Sequence, residues 1–286
     1  MGEVRRIEKV WKSKPTIEGA GVRLKRAFGF DEVPQLDPFL LLDDFRSNNP
    51  TDYLRGFPWH PHRGIETITY ILAGDAEHGD SLGNRGVISS GDVQWMTAGS
   101  GIIHQEMPKG DPEGRMWGFQ LWANLPASAK MMDPRYQEIK RSDIPEVTTA
   151  GGATVRVICG QVDGVRGPVR EIVTDPEYLD VSLPPGATFT HSVKAGHTVF
   201  AYVFEGEGYF DPGRDPATRE TVVLYGPGDT VEVSTEEQPV RFLLVAGRPL
   251  KEPVAWHGPI VMNTQEELRV ALREYEQGTF VKHARR

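Results

Sequence analysis

Short runs of alternating apolar and polar residues dominate the chain. ETITYILA, TVRVIC, TVFAYVF, TVVLY, TVEVS and VRFLLVAG each carry β-branched or aromatic residues and are bounded by Gly, Pro, Asn or Asp, which predicts strands. The turns between them recur about every eight to twelve residues, the spacing of a sandwich or barrel. FLLLDDF starts fully apolar and ends on acids, and its brevity predicts a buried strand rather than a helix. VRRIEKVWKSK alternates imperfectly and reads as an early strand. After Pro126 the pattern lapses into a polar, Pro-punctuated connector, ASAKMMDPRYQEIKRSDIPEV, with room for one short helical turn. A domain boundary is placed near residue 147, giving domains 1–147 and 148–286. The tail alone has a helical period. Thr264 and Glu267 form a capping box, Leu268, Ala271, Leu272 and Tyr275 follow at i, i+3, i+4 and i+7, and Gly278 supplies the stop. The predicted class is all-β with one amphipathic C-terminal helix.

The two halves repeat one another. TYILAGDAEH lies over AYVFEGEGYF, matching Gly74 with Gly206, and SSGDVQWM lies over GPGDTVEV, matching Gly91-Asp92 with Gly228-Asp229. Counted from these glycines, His104 corresponds to Arg241 and Glu106 to Leu243. His191 and His197 fall near the place of the first-half HPH without its spacing. The C-terminal half therefore reads as a metal-free copy.

That correspondence matters because of two donor pairs in the first half, His60-Pro61-His62 and His104-Gln105-Glu106. On strands, residues two apart share a face, so each pair can present both donors to one side. Three imidazoles and a carboxylate suit a divalent first-row ion such as Fe, Ni, Cu, Zn, Mn or Co, and poorly suit Ca or Mg, which prefer oxygen. Four protein ligands on an octahedral ion leave two positions for water, dioxygen or a chelating substrate. Glu66 shares the parity of His60 and His62 and competes with Glu106 for the carboxylate role; otherwise it would pair with Arg63 or another basic residue. Glu106 beside an open position can also serve as a base. His78 reads as a solvated residue of a polar turn, and Asp92 as a turn cap. Trp59, Trp95, Trp117 and Trp122 either floor a pocket for a flat ligand or pack in the core.

Composition narrows the setting. The net charge of -8, with 40 acids interspersed among 32 bases, argues against a nucleic-acid surface. A hydrophobic content of 38% with no long apolar run implies a soluble, non-exported, cytoplasmic protein without membrane attachment. The single cysteine, Cys159, has no internal partner and fits a reducing compartment as a buried structural thiol.

HPHRGIETITY, AEHGDSLGNRGVISSGDVQWMTAGSGIIHQEMP and GFQLWANLP, in that order, closely resemble the pirin family of bicupins, most densely from Asp37 to Pro126. The resemblance implies two cupin barrels (double-stranded β-helix, jelly-roll) with metal in the N-terminal one only. It carries the pirin ligands onto His60, His62, His104 and Glu106 and decides against Glu66. It further implies Fe(II) or another divalent ion, and either of two roles. One is a quercetin 2,3-dioxygenase, taking a flavonol and O2, in which the 3-hydroxyl proton passes to Glu106 and the heterocycle opens with loss of carbon monoxide. The other is a metal- or redox-sensing regulator that binds a protein partner. A bicupin already holds two barrels in one chain, so a monomer suffices.

Overall fold

The computed structural model describes residues 2–282. It is all-β apart from short 3-10 turns and one α-helix, and its chain divides into two compact units, neither of them contiguous. One joins the residues up to Ser13 with Ser142–Pro249; the other joins Lys14–Arg141 with the segment from Leu250 onwards.

In the first of these units the large sheet runs, in spatial order, Ile7–Lys12, Thr221–Tyr225, Thr198–Gly208, Val240–Gly247, Glu177–Leu183, Thr154–Cys159 and Glu146–Thr148. Thr188–Ser192 pairs separately with Thr230–Ser234. Val155, Leu179, Phe189, Val199 and Phe242 are among the apolar side chains that fill the interior. The early strand contributes Ile7 to this core. Arg241 donates from Nε and Nη2 to both oxygens of Asp180, at 2.9 and 2.7 Å, and Leu243 is fully buried. His191 bonds Glu177 at 2.9 Å. Ion pairing and core packing thus occupy the positions that correspond to His104 and Glu106.

The other unit opposes two antiparallel sheets. The larger follows the order Arg135–Ile139, Val93–Thr97, Ile65–Ala73, Trp117–Asn124, Phe39–Asp44, Val22–Phe28, Lys14–Glu18. The smaller follows Phe57–His62, Ile102–Pro108, Ala76–Asp80, Arg85–Ile88. FLLLDD is a wholly buried strand. The polar connector contains an unpredicted strand, Arg135–Ile139, that pairs with Val93–Thr97, and a 3-10 turn at Arg141–Asp143. His78 is a correction: it lies on the Ala76–Asp80 strand, is 6% exposed and contacts Gln94 at 3.0 Å and Glu138 at 3.2 Å. Its polar neighbours Glu77 and Asp80 disguise a strand whose inner face is polar. Asp92 caps its turn, accepting from the Ser89 amide.

The segment from Leu250 onwards adds a hairpin, Ala255–His257 with Ile260–Met262, and the helix α1, Gln265–Glu276. Its capping box is complete: the Thr264 hydroxyl accepts from the Glu267 amide at 3.2 Å, and the Glu267 carboxylate accepts from the Thr264 amide at 2.9 Å. Thr264→Ala is expected to lower stability by about 1 kcal/mol, read as a shift in the urea midpoint. Among the described residues no helix is long and apolar enough to cross a membrane.

Candidate metal centre

The Phe57–His62 and Ile102–Pro108 strands pair antiparallel with His104 opposite His60 and Ile102 opposite His62. Because residues opposite one another and residues two apart share a face, His60, His62 and His104 turn to one side. Their ring nitrogens converge: His60 Nε2 lies 3.0 Å from His62 Nε2 and 3.0 Å from His104 Nε2. The donor atoms of the three all fall within 4.8 Å of one another.

The protonation of the cluster favours a cation. His60 Nδ1 lies 2.8 Å from the Pro58 carbonyl, which can only accept, so Nδ1 carries a proton and Nε2 is the nitrogen left to face the other rings. Burial pulls the His104 imidazole down to about 4. Burial, followed by the neighbouring His60 and His104, holds His62 well below its ordinary value. An imidazole nitrogen offers one in-plane lone pair or one proton, so His60 Nε2 cannot make good hydrogen bonds to His62 Nε2 and His104 Nε2 at once, whereas a shared cation would satisfy all three nitrogens. The donor set fits a divalent transition ion.

Pirin-family sequence signatures match residues 21–123 (Pirin) and 178–281 (Pirin C-terminal cupin domain). A pirin-like protein of Caulobacter vibrioides is 47% identical over 97% of this chain and 99% of its own. The chain belongs to the pirin family. Human pirin is 42% identical over 96% of this chain and 93% of its own. Among solved structures, a quercetin 2,3-dioxygenase from Acinetobacter baumannii superposes with a TM-score of 0.89 at 34% identity, covering 97% of this chain and 98% of that one.

In this pirin, Glu106 stands beside the imidazoles but outside their close group. The register shifts between His104 and Glu106, setting Glu106 opposite Phe57. One carboxylate oxygen accepts from the Thr69 hydroxyl at 2.9 Å and the other from the Gln120 amide at 2.9 Å. A carboxylate has about four acceptor positions, so these bonds leave a lone pair on each oxygen. Burial pushes this carboxyl up, but His104, the Gln120 amide, His60 and the Thr69 hydroxyl outweigh it and hold Glu106 below the ordinary range. Glu66 lies on the opposite face of its strand from Thr69, as the odd spacing requires, and accepts from the Thr97 hydroxyl at 2.7 Å. Arg63, one of the basic partners expected for it, instead pairs with Glu274 at 2.8 Å, and the basic residue that acts on Glu66 is Arg135.

A cavity of about 790 Å³ opens onto His60. Trp59, Trp122, Phe57, Phe30 and Trp256 give it aromatic walls. Trp122 meets His62 edge-on, with ring centroids 5.2 Å apart. Of the four tryptophans singled out in sequence, Trp95 is instead buried, 1% exposed, and Trp117 donates its Nε1–H to Asn48. Trp256 enters from the C-terminal hairpin and has no local sequence signal for this role. The polar wall is also new: Arg26 binds both oxygens of Asp43, at 2.9 and 2.8 Å, and Glu18 at 2.9 Å.

Gln120 joins the cavity wall to the centre. Its carbonyl accepts from Trp122 Nε1 at 3.2 Å while its amide donates to Glu106. Gln120→Leu frees the Glu106 carboxylate to rotate, and metal affinity is expected to fall roughly 10-fold in chelator competition.

Proposed function

We propose that this pirin is a metal-dependent dioxygenase that opens the heterocycle of quercetin-like flavonols, with Fe(II) held by His60, His62, His104 and Glu106. The observation that carries this reading is the convergence of three imidazoles, His62 and His104 held low by burial, beside an aromatic-walled cavity large enough for a flat, drug-sized ligand. The likeness to the Acinetobacter baumannii quercetin 2,3-dioxygenase supports the same chemistry.

When bound, the ion supplies Lewis acidity and a template that brings a deprotonated flavonol and dioxygen together. The chain's own residues do the rest. Trp59, Trp122 and Trp256 hold the flat rings and exclude water. Glu106, kept anionic, takes the 3-hydroxyl proton on a carboxylate oxygen, while Thr69 and Gln120 fix the direction of its lone pairs. Dioxygen adds across the carbons flanking the 3-hydroxyl carbon, and ring opening releases that carbon as carbon monoxide.

An oxygen electrode tests the proposal. Protein reconstituted with Fe(II) without air should consume dioxygen on addition of quercetin and release carbon monoxide, and do neither without quercetin. No turnover with Fe, Ni, Mn, Co, Cu or Zn would overturn it; a reproducible protein partner that reads the metal state would then favour the regulatory role.

A further inference from the structure

The ligand strands have two faces, and the one turned away from the imidazoles is gripped by the C-terminal segment. Ile103, opposite Pro61 in the ladder, packs against the apolar cluster of Ile260, Met262, Leu268, Ala271 and Phe280. Immediately after His62, Arg63 is buried to 1% exposure. Its Nη1 pairs with Glu274 of α1 at 2.8 Å, its Nη2 donates to the Phe280 carbonyl at 2.9 Å, and its guanidinium lies 4.2 Å from the centre of the Phe280 ring. The Arg63 carbonyl accepts from the Val261 amide at 3.1 Å. Next in the chain, the Gly64 carbonyl accepts from the buried Lys130 amine, which also donates to the Val261 carbonyl, at 2.9 and 3.0 Å. The other ligand strand is met at its start: a Cβ on Gly101 would lie 2.9 Å from the Phe280 carbonyl oxygen. One short segment thus touches the end of the strand carrying His62 and the beginning of the strand carrying His104.

Nothing in this arrangement enters the aromatic cavity, and Arg63 is far more elaborately held than a turn residue needs to be. A buried guanidinium depends on its partners; its Nε has none, and among the described residues the ion-pair, hydrogen-bond and ring partners of Nη1 and Nη2 all come from the C-terminal segment. We propose that residues 261–280 form a strap that sets the metal affinity of the centre, with Arg63 as the positioning residue through which the strap holds the His62 strand. The inference rests on the metal-centre reading above. Preorganised imidazoles bind an ion more tightly than mobile ones, because less ordering remains to be done on binding. The coupling is reciprocal: if a docked strap tightens metal binding, bound metal must tighten strap docking by the same factor.

Two measurements on the full chain test this, with redox-inert Zn(II) as the probe. In chelator competition, Arg63→Met should weaken Zn(II) binding about 10-fold, at the low end of the range for groups behind metal ligands. Arg63→Met does not strand Glu274, which keeps Lys282 at 2.7 Å. Glu274→Ala should act likewise, and Glu274→Gln, which retains an acceptor for Nη1, should recover part of the loss. In hydrogen exchange, Zn(II) should raise protection of the α1 amides by a comparable factor in the wild type, and by much less in Arg63→Met. If Arg63→Met does not fold, Glu274→Ala carries both measurements. Variants that melt earlier but bind Zn(II) as the wild type does would overturn the strap and leave the metal centre standing. Wild-type protein that binds no Zn(II) at the histidines would overturn both.

Discussion

His104→Ala is expected to abolish two things together: quercetin-dependent oxygen uptake, and the rise in melting temperature that metal gives the wild type. His104 is the donor on the second strand that closes the imidazole group, 3.0 Å from His60 Nε2. Without it, two imidazoles from a single strand remain beside Glu106, too open a set to hold the ion. For the wild type, metal at a hundred times its dissociation constant adds about 2.7 kcal/mol of stability. For a unit of 150–250 residues this is a rise of about 5–11 °C, at about 2–4 °C per kcal/mol. Differential scanning calorimetry with and without Fe(II) should show this rise in the wild type and none in the variant. The metal-free comparison separates function from structure. His104 is 2% exposed, so its removal opens a small cavity, but it also relieves a close contact between ring nitrogens. The metal-free variant should therefore melt near the metal-free wild type. A variant several degrees below it would mean that His104 is chiefly a core residue.

The strands that alternate or run apolar were legible because their burial is local: Ile65–Ala73 and Phe39–Asp44 declare themselves in their own residues. The donor pairs were legible for the same reason, since strand parity alone puts His60 with His62. Contacts made from distant parts of the chain were not. The pairing of Ile7–Lys12 with Thr221–Tyr225, and the arrival of Trp256 at the cavity, follow from sheet order and chain return, which no short window contains. Gln120 sits among strand residues and looks like any other polar member of an alternating run; only the packing of one sheet on the other brings it to Glu106. The polar run around His78 predicts a turn, yet it is a strand with His78 on its buried face. The interior of this barrel is itself polar, so the usual equation of polarity with exposure fails there. Arg63 is a different case. Glu66 was near enough in sequence to claim it, yet the true partner, Glu274, lies at the other end of the chain.

Gly64→Ala is expected to be among the most damaging small substitutions in the molecule, and Gly83→Ala separates the reasons. Both glycines have left-handed backbone, with φ of +77° and +85°. A side chain there costs about 1–2 kcal/mol on conformational grounds alone. They differ in surroundings: no atom lies within 4 Å of a Cβ built on Gly83, whereas a Cβ on Gly64 would fall 2.0 Å from the Val261 carbonyl oxygen. Overpacking adds about 1–3 kcal/mol, and the obstacle is backbone, which cannot swing aside as a flexible side chain would. The expected losses are therefore about 1–2 kcal/mol for Gly83→Ala and about 2–5 kcal/mol for Gly64→Ala, measured by urea unfolding without metal. Relief at Gly64 requires the hairpin strand Ile260–Met262 to move away from the residue that follows Arg63, only two places beyond His62, a proposed ligand. Gly64→Ala should thus weaken Zn(II) binding as well as stability, while Gly83→Ala leaves Zn(II) binding unchanged. Equal stability losses at the two positions would show that the approach of Val261 is easily relaxed, and that the grip on the ligand strand is looser than its contacts imply.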